Sequence, residues 1–310
     1  MKVTVTGATG MLGAALVSAL RDRGDEVTAL SRDAARARER LGADVRARSW
    51  ADPKREAPPA EALAGQDGVV HLLGEPIAQR WNEDAKREIR DSRVLTTRNL
   101  VAALRDLEPE RRPAVLVSQS GTNRYGARGD ERVDESAGEP GPDAADFLTG
   151  VCVEWEREAR AAEELGLRVA ITRCGVVLSP DGGALEKMLP PFRLGIGGPV
   201  AGGRQYVPWI HTDDVVGGLM FCLDTAAASG PINVTAPGPV TNAELSKALG
   251  RVLGRPAIAP VPGLAVKALY GEMAVLVTEG VRAVPRRLEE LGYRFARPDL
   301  EGALRAATGR

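Results

Sequence analysis

The sequence predicts an α/β fold: a doubly wound parallel sheet with a second, smaller C-terminal lobe. Three observations lead there. First, Gly7-Ala8-Thr9-Gly10-Met11-Leu12-Gly13 lies between a short β-branched run, Met1 to Thr6, and apolar residues at helical spacing, Leu12, Ala15, Leu16 and Ala19. Second, strand-like runs alternate with helical patterns as far as Gly175, and parallel sheets are written this way in sequence. Third, the chain then turns irregular, with Pro190-Pro191 and a glycine-rich run from Gly195 to Gly203. The expected division is a nucleotide-binding lobe over 1–175, to which 209–235 returns, and a smaller substrate-side lobe over 176–310. A chain of 310 residues is long enough for both.

The glycine spacing is G-x-x-G-x-x-G. After a strand, Gly7 permits a tight turn, Gly10 lets a pyrophosphate approach the backbone, and Gly13 lets the helix pack close on the strand. The turn with Thr9, Met11 and Leu12 then presents unpaired N–H groups and the positive end of a helix dipole to phosphates. An ordinary strand-to-helix turn is the alternative; position and context favour a dinucleotide.

Glu26 to Leu30 is the second strand, ending in Ser31-Arg32-Asp33. The end of this strand normally meets the adenosine ribose, where NAD enzymes place an acid on the 2′-hydroxyl. A carboxylate would repel a 2′-phosphate, whereas a guanidinium pairs with it through two hydrogen bonds. Ser31 and Arg32 therefore point to NADP(H). Asp44 to Ser49 is the third strand, and Asp52 after it either contacts adenine or caps a turn. Pro53 to Gly65 is a loop with a short helix. Asp67 to Leu73 is a fourth strand apolar enough to be buried on both faces. Leu72, Leu73 and Gly74 end it at the cofactor edge, and His71 within it reads as a packed histidine.

Asn82 caps a long helix to Leu104, and Ala114 to Val117 is a strand ending in Ser118-Gln119-Ser120-Gly121. Arg124 to Asp146 is a long polar connection, of the kind that is functional or mobile. A helix over Phe147 to Leu165 presents Leu148, Val151, Cys152, Trp155, Ala159 and Ala162 on one apolar face, and Arg168 to Thr172 is the sixth strand. Trp209 to Asp214 leads into a helix to about Leu223, capped by Thr212 or Asp213, and Ile232 to Thr235 is a strand. Thr241 and Glu244 form a capping box for a helix to Leu253. Lys267 to Arg287 reads as further helix, and a short helix follows Pro298.

Composition narrows the partners. Net charge is −1 with a pI near 6.3, which gives no reason to expect nucleic acid or a membrane surface. Cys152, Cys174 and Cys222 are too widely spaced for a zinc site and too few for a disulfide framework. The first strand begins at the N-terminus, and the apolar stretch Gly263 to Val281 is broken by Lys267, Glu272 and Glu279, so a cytoplasmic protein is expected.

Several stretches together resemble the extended short-chain dehydrogenase/reductases: Thr6 to Gly13, Gly74-Glu75-Pro76-Ile77, Ser118 to Gly126 and Trp209 to Asp214. More narrowly, the chain resembles the atypical NAD-dependent epimerase/dehydratase-like "epimerase family" group, which carries a C-terminal domain of unknown function. That likeness rests on Ser92-Arg93, Phe147-Leu148, Val151-Cys152, Trp155-Glu156, Leu189 to Gly195, Pro208 to His211 and Pro239 to Glu244. It implies a Rossmann lobe binding NADP(H) and a smaller lobe over the nicotinamide. It also implies cofactor contacts from the Gly7 to Gly13 turn, Ser31, Arg32, Leu72, Leu73, Glu88, Arg93 and Val151; Ser118 is counted with them from its strand end. Working short-chain enzymes place a Tyr and, one helical turn later, a Lys on one face. Here Leu148 and Cys152 stand in those places, so the likeness implies a cofactor site without the usual proton donor.

The remaining candidates are few. Ser120 either orients a substrate oxygen or is a strand-end turn serine, and Tyr125, the nearest phenol in sequence, either donates a proton or packs on the lobe interface, with Arg124 beside it for an anionic substrate. Cys152 is either a low-pKa thiol or packing, and His211 faces the pocket or joins the lobes. The Gly195 to Gly203 loop either closes over a ligand or only joins two elements. The expected function is an NADP(H)-dependent oxidoreductase or epimerase-like enzyme acting on a small polar molecule. The alternative is a non-catalytic NADP(H)-binding redox sensor or interaction module.

Overall fold

The computed structural model describes residues 1–141 and 146–310. The chain runs β1 (Lys2–Thr6), α1 (Met11–Asp22), β2 (Glu26–Ser31), α2 (Ala34–Leu41), β3 (Arg46–Ser49), β4 (Gly68–His71), α3 (Glu83–Arg105), β5 (Val115–Gly121), β6 (Arg132–Val133), α4 (Phe147–Arg160) and β7 (Arg168–Cys174). It continues through β8 (Val176–Leu178), α5 (Gly183–Arg193), β9 (Tyr206–Val207), β10 (Trp209–His211), α6 (Thr212–Asp224) and β11 (Gly230–Val234). The last part holds β12 (Val240–Thr241), α7 (Asn242–Leu253), α8 (Gly263–Tyr270), α9 (Val275–Thr278), β13 (Arg282–Ala283), α10 (Arg286–Glu290) and α11 (Leu300–Thr308).

Seven strands form one parallel sheet in the order β3-β2-β1-β4-β5-β7-β11. The order reverses between β1 and β4, which opens a crevice at their carboxyl ends, the place where such sheets bind nucleotides. On one face α1 and α6 cover Val3 and Val5 with Leu16, Leu20, Val215 and Leu219. On the other, α3 and α4 cover Val69, Leu116 and Ile171 with Leu100, Leu104 and Ala159. A separate core in the smaller lobe gathers Trp209, Leu178, Leu245, Leu249 and Leu304.

Helix starts follow local chemistry. Asn82 accepts from Ala85 N at 2.8 Å, Asp299 from Gly302 N at 2.7 Å, and Thr241 with Glu244 forms the expected capping box. Four expectations change. β5 extends through Gly121, so Ser118 and Ser120 are strand residues and share one face. α4 stops at Arg160 and a 3₁₀ turn follows. α6 is capped by His211, whose Nδ1 accepts from Asp213 N at 3.1 Å, rather than by Thr212 or Asp213. Lys267 to Arg287 is not one helix: Gly271 and Pro285 interrupt it, and β13 pairs there with β6. The polar connection from Arg124 therefore contains a strand that ties the two lobes together; its residues 142–145 lie outside the described residues. Among the described residues, no helix is long and apolar enough to cross a membrane.

Candidate functional site

The glycine turn has the geometry its spacing predicts. Gly7 has φ +65°, and a Cβ there would stand 2.9 Å from Leu72 O; one on Gly13 would stand 2.2 Å from Gly7 O. Gly10 N donates to Gly7 O at 2.9 Å, closing the turn. The N-terminus of α1 carries no side-chain cap, unlike α2, α3, α4 and α7, and no acid in its first turn, unlike α3 and α7. Its free N–H groups are left for an anion. The turn from β8 into α5 closes this end, with Gly182 and Gly183 against the Met11 sulfur.

Ser31 and Arg32 stand at the end of β2 beside the turn. Arg32 is exposed and makes no ion pair among the described residues, and Asp33 is occupied capping α2 through Ala35 N and Arg36 N. On the other side of β1, Leu72 N donates to Thr6 Oγ1 at 3.2 Å, which draws Leu72, Leu73 and Gly74 against the turn. Gly74 faces the Arg93 guanidinium, 3.0 Å from where a Cβ would lie. Among the described residues Arg93 donates only to the backbone carbonyls of Ile89 and Glu75, and it lies over the Trp155 ring at 5.3 Å. Burial pulls it below its ordinary range, with Cys152 and Glu75 opposing. A half-buried cation without a paired carboxylate beside an open helix N-terminus fits a diphosphate. Glu88 is instead engaged by Lys54 at 2.8 Å, Val151 lies on the buried face of α4, and the buried Ser118 hydroxyl has no partner among the described residues. Asp52 opens a turn through its carbonyl, which accepts from Glu56 N at 2.9 Å.

The reaction side departs from expectation. Leu148 and Cys152, which the sequence likeness sets at the Tyr and Lys places, lie on α4 and both are buried. Burial, with the Glu156 charge beside it, pushes the Cys152 thiol up to about 11, so it is not a low-pKa thiol. Gly121 points its missing side chain at the Cys152 sulfur, 3.8 Å from where a Cβ would lie.

Ser120 is buried, and its Oγ donates to Glu156 Oε1 at 2.9 Å. Glu156 is held by two hydrogen bonds of 2.8 Å from Arg173, with Arg124 Nε at 3.7 Å. Tyr125 is not a proton donor facing the cleft. It is fully buried with its ring under the Arg173 guanidinium, and its hydroxyl donates to Asn233 Oδ1 at 2.7 Å. Burial also pushes that phenol above its ordinary range.

Sequence reading names Glu156 only as part of the family likeness, gives it no role in the site, and does not name Arg173. The available signal was an acid on the apolar face of α4, one turn after Cys152, and an arginine inside an apolar strand. His71 is the packed residue expected, bridging Thr6 Oγ1 at 2.8 Å and Thr97 Oγ1 at 2.9 Å. His211 is structural through its cap, although its buried Nε2 has no partner. The Gly195 to Gly203 loop joins elements: Ala201 N donates to Val261 O, and Val261 N to Pro199 O, both at 2.9 Å. No cluster able to hold a metal occurs among the described residues.

The model of the NAD dependent epimerase/dehydratase family matches residues 3–235, three quarters of the chain. The chain belongs to that family. A domain of unknown function, DUF1731, matches 261–307, the part that holds α8 to α11. Among relatives of this family member, an Arabidopsis thaliana protein named "Epimerase family protein SDR39U1 homolog, chloroplastic" is 40% identical over 307 residues, covering 99% of this chain and 86% of that one. A crystal structure of human epimerase family protein SDR39U1 with NADPH superposes with a TM-score of 0.87 at 34% identity, covering both chains fully. A nucleoside-diphosphate sugar epimerase from Corynebacterium glutamicum superposes at 0.76 with 31% identity, over all of this chain and 58% of that one.

Proposed function

We propose that this chain binds NADP(H) across the crevice at β1 and β4 and acts as an NADP(H)-dependent oxidoreductase of the epimerase type on a small polar molecule. The observation that carries the reading is the conjunction of the uncapped α1 N-terminus, Arg93 without a carboxylate, and exposed Arg32 at the ribose end of β2. The human relative solved with NADPH supports the choice of cofactor. Met11 to Gly13 N–H groups and Arg93 hold the diphosphate, and Arg32 pairs with the 2′-phosphate. The bound nicotinamide supplies or accepts hydride. Because the Ser120 hydroxyl proton is committed to Glu156, its lone pairs are free to accept a hydrogen bond from a ligand hydroxyl. Arg173 keeps the Glu156 carboxylate in place, so Ser120 holds one orientation.

A second reading, a non-catalytic NADP(H) sensor, is favoured by the burial of Tyr125, Cys152 and Ser120. The two separate in one assay. Purified protein with NADPH is screened against aldehydes, ketones and nucleotide sugars by absorbance at the nicotinamide band. Turnover that falls ~100-fold or more in Ser120→Ala while NADPH affinity holds supports the enzyme. No turnover across the panel, with NADPH altering partner binding, supports the sensor.

A further inference from the structure

Apart from Met1, every large apolar side chain left exposed among the described residues lies in the smaller lobe, between 194 and 277. Leu194 is 73% exposed, and Ile258 and Leu264 are each 83% exposed. In α8 only Val266 is buried, although Leu264, Leu269 and Tyr270 belong to the same helix. The segments form one surface. Val200 bridges Val261, Gly195 stands against Pro256, and Gly263 against Ala201, so Leu194 and Ile196 are drawn to the strip that carries Ile258 and Leu264.

Cations surround this strip. Arg193, Lys247, Arg255 and Lys267 are exposed and make no ion pair among the described residues. Three nearby acids are occupied elsewhere, Glu244 by Thr241, Glu272 by Lys86 and Glu301 by Arg251, while the exposed Glu279 makes no ion pair among the described residues. Between Lys247, Arg255, Ala257 and Ile258 lies an open cavity of about 510 Å³ with a mainly apolar floor. The net charge of −1 hides this local excess, because the compensating acids lie on the other lobe's surfaces and in pairs.

We propose that this face of the smaller lobe docks reversibly on an anionic phospholipid surface. Leu194, Ile196, Ile258 and Leu264 enter the acyl boundary while the four cations meet headgroup phosphates. The chemistry is that of an interfacial protein, with apolar side chains projecting singly from loops and a short helix, and free cations at their margin. A second copy fits less well, since a two-fold axis through the patch would set the same four cations against one another. Among the described residues no helix is long and apolar enough to cross a membrane, and the proposed contact is a peripheral one.

The test is flotation of the full chain with vesicles of POPC alone and of POPC mixed with POPG. Binding to the POPG vesicles is expected, weakened at high salt. Ile258→Glu with Leu264→Glu should lower the partition at least ~10-fold. Lys247→Glu with Arg255→Glu should lower it at least ~25-fold, at roughly fivefold for each cation lost and with two carboxylates added. All four positions are exposed, so NADPH affinity and melting temperature should match wild type, which keeps the result interpretable. Wild type that stays with the unbound fraction, or variants that float equally well, would overturn the proposal. So would a wild-type dimer in solution that Ile258→Glu with Leu264→Glu dissociates.

Discussion

Gly13 has no room for a side chain. An added Cβ would meet Gly7 O at 2.2 Å and the Ala8 Cα at 2.8 Å, both backbone atoms that cannot move without opening the turn. Gly13→Ala is therefore expected to cost ~1–3 kcal/mol of stability and to weaken NADPH binding, read by urea unfolding and by titration. His71 carries a pH dependence of definite sign. Burial holds its native pKa near 3 against 6.5 for the free imidazole. The unfolded chain thus takes up a proton below pH 6.5 that the native chain refuses, and stability falls with pH through that window. Between pH 6.5 and 5 the loss from this residue is ~2 kcal/mol, and a His71→Gln variant should lack that slope in urea midpoints. Cys152, held up to about 11, should react with a thiol reagent at pH 8 only after unfolding. Rapid labelling of the native protein would contradict its assignment as packing.

At the scale of elements, α4 is fastened to β5 and β7 by a buried charge cluster, Ser120, Glu156 and Arg173. Glu156 and Arg173 are 4% and 5% exposed and face each other across two hydrogen bonds. Glu156→Ala strands Arg173 in the interior and should cost ~3–5 kcal/mol, whereas replacing both with apolar residues should cost less, a difference that a double-mutant cycle in denaturant measures. This cluster also marks where reading the sequence stops. The glycine turn, the buried β4 and the Thr241 capping box depend on neighbours in the chain, so their residues announce them. Asn82 and Asp299 do likewise at their helix ends. Tyr125, Glu156 and Arg173 meet across three elements, and no local pattern says that Tyr125 turns inward to Asn233, 108 positions away. The β6–β13 pairing, two residues long on each side, carries no periodicity at all.

For the whole molecule, the sheet and the smaller lobe have separate cores. The sheet presents its switch point, the uncapped α1 and Arg93, and the β8–α5 turn lies over them through Met11. The alternation of strands and helices, and with it the doubly wound parallel sheet, was readable because each βα unit repeats the same apolar pattern. The arrangement of the second lobe was not, because glycines and prolines break its segments and its contacts are distant in sequence. The central claim, that this crevice is built for NADP(H), turns on Arg32. One desolvated guanidinium–phosphate pair contributes ~1.5–3 kcal/mol, or roughly 10–150-fold in affinity. The most direct measurement is a titration of NADPH and NADH into wild type and into Arg32→Ala. The account predicts that wild type prefers NADPH by at least ~10-fold and that Arg32→Ala loses the preference while NADH binding is unchanged. Equal binding of both cofactors by wild type, or an intact NADPH preference in Arg32→Ala, would contradict it.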